Sequence, residues 1–97
     1  MKRSLIEIEL VLRQHKQELM KKYKLKSIAI FGSYSRQEQN ELSDIDILID
    51  YEQPMGIEFI DLANELETLL KLKVDLVSKK GVKARYLSSI EQELVYV

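Results

Sequence analysis

Leu5, Ile8, Leu12, His15 and Leu19 recur at helical spacing and share one face, the stripe that an amphipathic helix buries. Ser4 followed by Glu7 forms a capping box ahead of that stripe, so the pattern predicts a helix from Ser4 to about Lys22. Leu25 to Phe31 reads as a short apolar strand that Gly32 ends. Residues 34–43 are polar, with Asn40 and Ser43 as turn formers, and leave room for a short helix. Ile45 to Ile49 is a second strand, opened by the acids Asp44 and Asp46; Ile45, Ile47 and Ile49 face one side and the two acids the other. After the Gln53–Gly56 punctuation, Phe59, Leu62, Ala63, Leu66, Leu69 and Leu70 recur at three and four, a second buried helix face. Lys73 to Val77 is a third strand, and Lys79 to Arg85 a basic connector containing Gly81. Ser89 with Gln92 reads as the cap of a last short helix, and Val95, Tyr96 and Val97 as an edge strand or a core plug. The intervening helix lets the second and third strands lie parallel, whereas the shorter link between the first two favours antiparallel pairing. The expected fold is α/β (α+β), a small mixed β-sheet with flanking helices.

Composition narrows the picture. The 97 residues make one domain, positions 1–97, able to bury roughly 60–70% of its unfolded surface. A net charge of −1 argues against a broad nucleic-acid-binding surface. Absence of cysteine removes disulfides, thiolate metal sites and thiol nucleophiles, and fits a cytoplasmic protein. No run approaches the roughly 18 apolar residues of a membrane span, and the N-terminus is charged and amphipathic, unlike a signal peptide.

The acids carry the chemistry. Asp44 and Asp46 sit about 7 Å apart on one strand face and repel unless a cation lies between them. If the second and third strands are parallel neighbours, Asp75 joins them in a hard-oxygen cluster suited to one or two magnesium ions. Two such ions stabilise both the attacking and leaving oxygens of a displacement at phosphorus. Gly32 lets backbone approach a phosphate closely, and the Ser33 hydroxyl and nearby amides can donate to its oxygens. No Gly-Lys-Ser/Thr follows, so this is not a P-loop. Asp50 shares the parity of Asp46 but lies at the strand end, where solvation is the simpler role. Lys79, Lys80, Lys83 and Arg85 read as a solvated face, or as contacts to phosphates or an acidic partner. Arg36 either braces an acid or touches substrate, and Tyr34 either lines the site or covers the loop.

Gly32-Ser33, Ser43-Asp44-Ile45-Asp46 and Val74-Asp75-Leu76-Val77 together resemble the minimal nucleotidyltransferases (MNT) of the DNA polymerase β-like superfamily. The resemblance extends through Lys83-Ala84-Arg85 to the ending Glu93-Leu94-Val95-Tyr96-Val97. It implies a polymerase β-like palm fold and an antitoxin whose partner is a HEPN-domain toxin. It further implies magnesium-dependent transfer of AMP from ATP to a tyrosine hydroxyl of that toxin. On this reading Gly32 and Ser33 hold the triphosphate, Asp44 and Asp46 bind metal, and Asp75 is the third acid and metal ligand. Relatives usually read Gly-Ser-x-Ala-Arg-Gly; here Ser35 and Gln37 replace Ala and the last Gly, a residue suited to positive φ. The rival readings are an antitoxin that occludes its partner without catalysis, and a nucleotidyltransferase acting on RNA or a small molecule.

Overall fold

A computed structural model describes residues 4–40 and 42–97. The first three residues of the charged N-terminus, and position 41 of the polar stretch, lie outside them. The elements run α1 (Leu5–Tyr23), β1 (Leu25–Phe31), β2 (Ile45–Tyr51), α2 (Glu58–Leu70) and β3 (Val74–Ser78). A single 3-10 turn (Lys79–Gly81), α3 (Ala84–Glu91) and β4 (Val95–Tyr96) complete them. The capping box forms as read: Ser4 Oγ accepts from the Glu7 amide at 3.2 Å, and Glu7 Oε1 accepts from the Ser4 amide at 3.3 Å.

The sheet order is β3-β2-β1-β4, with β2 and β3 parallel and the other pairs antiparallel. This is the small mixed sheet with flanking helices expected from the hydrophobic pattern. Ile28 and Ile30 of β1 pair with Ile49 and Ile47 of β2 on one face. There they join Ile8, Leu12 and Leu19 of α1 and Leu62, Leu66 and Leu70 of α2 in one buried core. His15, expected on the α1 stripe, is half-buried. The helices are tied at one edge, where Glu65 Oε1 accepts from Tyr23 Oη at 2.7 Å and from Lys22 Nζ at 3.0 Å.

Several details differ from the sequence expectation. Strand β2 begins at Ile45 as read, with Asp44 on its lead-in, but runs on to Tyr51. The acid-bearing face also carries Ala29 and Leu48, 1% and 3% exposed, on which the sequence expectation is silent. Residues 34–37 form turns instead of a helix: hydrogen bonds of differing span run from Arg36, Gln37 and Glu38 back to Gly32, Tyr34 and Ser33. The last helix does not start at Ser89. It begins at Ala84 inside the basic connector, behind Lys83, which offers no side-chain cap. Half-buried Leu87 and Ile90 share a face at helical spacing there, and that burial outweighs the capping signal of Ser89.

Candidate active site

Parallel pairing of β2 and β3 puts Asp46 directly beside Asp75. The start of this pairing is pinned by the Ile45 amide, which donates to the Lys73 carbonyl at 2.9 Å. Asp44, exposed, precedes the same strand end. Burial pushes the Asp46 carboxyl up to about 6, followed in effect by the charge and hydrogen bond of Asp75, then the charges of Asp44 and Glu93. The three acids singled out in the sequence therefore act on one another, and a fourth joins them. They do not form a closed ligand cage: among the described residues no group of three or more His, Cys, Asp or Glu is arranged to hold a metal ion. Asp46 and Asp75 are close enough to share a hydrogen bond, while Asp44 stands exposed before the strand.

The facing turn is built around Gly32. Its φ of +76° is left-handed, and a Cβ there would run into the Asp46 carboxylate. Glycine is thus needed for the approach of an acid. Its amide donates to Glu93 Oε1 at 2.9 Å, while its carbonyl accepts from the Ser35 hydroxyl at 3.0 Å and the Arg36 amide at 3.1 Å. Arg36 braces acids, contacting Glu93 Oε2 at 2.9 Å and Glu38 Oε1 at 2.7 Å. Tyr34 is buried in the core and anchors the turn. Gln37 adopts a φ of 58°, the left-handed conformation for which a glycine is suited. Neither the amide nor the hydroxyl of Ser33 has a hydrogen-bond partner among the described residues, leaving both as donors for an anion.

Asp50 lies towards the far end of β2, where its Oδ1 accepts from the Tyr51 amide at 3.0 Å. Lys80 is also remote: its Nζ donates to the Tyr51 carbonyl at 2.9 Å and sits 4.9 Å over the Tyr51 ring. Lys79 follows β3 at the end away from Asp75, about 13 Å on by strand rise. Arg85 stacks 4.9 Å from the ring of Tyr86. Glu93 is the site residue that pattern reading missed. No local motif marks it, and its only signal is its place in the ending shared with the resembled family.

The family model for the nucleotidyltransferase domain matches residues 12–97. The chain belongs to the nucleotidyltransferase domain family. The nucleotidyltransferase domain is 54% identical over 97 residues to MJ0126 of Methanocaldococcus jannaschii, provisionally named a protein adenylyltransferase, covering 98% of this chain and 99% of that one. It is 45% identical over 95 residues to the protein adenylyltransferase MntA of Thermococcus cleftensis, covering 97% and 96%. A solved structure provisionally described as a minimal nucleotidyltransferase superposes with a TM-score of 0.84 at 27% identity, covering 98% and 97%. A chain of a toxin–antitoxin complex with AMP-PNP gives 0.73 at 28% identity, covering 86% and 69%. A chain of the complex between tri-AMPylated Shewanella oneidensis HEPN toxin and an MNT antitoxin gives 0.68 at 25% identity, covering 92% and 70%.

Proposed function

We propose that this protein is a magnesium-dependent protein adenylyltransferase, a single minimal domain acting as the antitoxin of a HEPN-domain toxin. It transfers AMP from ATP to a tyrosine hydroxyl of that partner. The observation that carries the reading is the pairing of Asp46 with Asp75 opposite a glycine whose missing side chain admits Asp46. The relatives named as protein adenylyltransferases support the donor and acceptor class. The complexes holding AMP-PNP and AMPylated toxin support the nucleotide and the partner.

The acid set fits magnesium: carboxylate oxygens are its preferred protein ligands, and the burial and mutual repulsion that raise Asp46 are relieved by a cation. Asp44, Asp46 and Asp75 would hold it, and when bound it supplies positive charge against the triphosphate and the developing oxyanion. The chain's own groups do the rest. The Ser33 amide and hydroxyl donate to phosphate oxygens and orient the triphosphate. Asp75 receives the proton of the acceptor hydroxyl as its oxygen bonds to the α-phosphorus. The bond from that phosphorus to the β-bridging oxygen breaks, diphosphate leaves, and AMP remains on the tyrosine.

The test is transfer of label from α-labelled ATP to the purified HEPN-domain partner. Wild type should label it, and Asp44→Asn with Asp46→Asn should not. Intact toxin left unlabelled beside a working positive control would overturn the reading. Full neutralisation of the toxin by the double variant at native expression would indicate occlusion instead.

A further inference from the structure

Glu93 connects two parts of the molecule far apart in sequence. Its two carboxylate oxygens accept separately from the Gly32 amide and from Arg36, each at 2.9 Å. The side chain is three-quarters buried, with 25% exposure. Its backbone stands on a fixed platform. The Glu93 amide donates to the Ile90 carbonyl at 3.0 Å, and the strand that follows pairs with β1 and ends with the Val97 amide on the Ile28 carbonyl at 3.1 Å. Arg36 is shared with Glu38, so its charge is already matched inside the turn. The Glu93–Arg36 pair therefore shapes the turn more than it attracts an anion.

The donors divide accordingly. Glu93 takes the first amide of the turn, that of Gly32, and the next amide and hydroxyl, both of Ser33, have no partner among the described residues. We propose that Glu93 is a positioning residue for nucleotide binding, holding Gly32 and Arg36 so that Ser33 is presented to the triphosphate. This rests on the nucleotidyltransferase reading above and deepens it. A carboxylate suits the task because it accepts two charge-matched or backbone donors at once in fixed directions. Without it, the buried Gly32 amide would be left unpaired and the left-handed turn would lose its outer support.

The experiment is calorimetric titration with the magnesium complex of α,β-methylene-ATP, in which the bond that transfer would break is blocked. Glu93→Ala should weaken binding by about tenfold, the scale of a lost hydrogen bond to a charged group. Glu93→Gln keeps an acceptor for Gly32 and loses the ion pair, and Arg36→Met loses the same limb; both should weaken binding by about threefold. Glu65→Gln, which loosens the α1–α2 tie away from the site, should bind as wild type does. In the nitrogen–proton NMR spectrum, Glu93→Ala should move the Gly32 and Ser33 amides while the β2–β3 amides beyond Leu48 stay in place.

Folded Glu93→Ala binding within twofold of wild type would overturn the proposal. So would an equal loss of affinity in Glu65→Gln, because binding would then follow stability rather than the turn. If Glu93→Ala does not fold, Glu93→Gln and Arg36→Met decide, and wild-type affinity in both overturns it. Wild type that fails to bind the analogue sinks the proposal and the transfer reading together. Binding with the expected variant order but no label transfer sinks the transfer reading alone.

Discussion

Asp46 carries the conflict between folding and chemistry in one side chain. Its carboxyl titrates at about 6 against an ordinary 3.8, chiefly from burial and then from Asp75. A raised carboxyl means that the folded chain holds the proton more tightly than the unfolded one. The group's contribution to stability is therefore present below about pH 4 and is lost as pH climbs through about 6. At pH 7 the native state keeps an unrelieved charge. Asp46→Asn should raise stability at pH 7 in metal-free buffer by about 1 kcal/mol, discounted for the solvent that still reaches the carboxyl, and should abolish transfer. Urea unfolding at pH 5 and pH 7 checks the sign, since the gain should shrink at the lower pH. Gln37 poses a simpler conflict. Its φ of 58° places a side chain where the left-handed region penalises one. Gln37→Gly should stabilise by about 0.5–1 kcal/mol in thermal unfolding, and its own φ was the one feature of the turn that comparison with the Gly-Ser-x-Ala-Arg-Gly pattern made legible.

At the scale of elements, α1 and α2 were readable because each repeats a buried face and α1 carries its own cap. What joins them was not readable. Glu65 is held below its usual range first by the hydrogen bond from Tyr23, then by Lys22. A lowered carboxyl stabilises above its unfolded value of about 4.5 and ceases to as pH falls through the folded value. Glu65→Gln should therefore cost about 0.5–1 kcal/mol at pH 7 and nothing near pH 2, measured by denaturant titration at both. The last helix shows how an element is misplaced. Ser89 and Gln92 have the residue types of a cap, yet Leu87 and Ile90, half-buried at helical spacing, belong to a helix that already begins at Ala84 and holds Ser89 inside it.

Over the whole molecule, Asp46 and Asp75 set like charges against each other at one end of the sheet, and the magnesium proposed above would relieve them. Millimolar magnesium should raise the wild-type melting temperature, by ligand linkage, and leave that of the Asp44→Asn, Asp46→Asn variant unchanged; differential scanning fluorimetry checks both. Local periodicity was enough to name α1, α2 and the three longer strands and to put Asp46 on the face opposite Ile45 and Ile47, since side-chain direction along a strand or helix depends only on neighbours. It also supported the parallel pairing of β2 and β3, through the length of the crossover between them. Packing alone settled the register that sets Asp46 beside Asp75 and the burial of Ala29 and Leu48 on the acid face. Packing also sent Tyr34 into the core and brought Glu93 to Gly32 across 61 positions of chain. Those contacts join segments that share no local pattern, and their free energy exists only once the sheet has closed and withdrawn them from water.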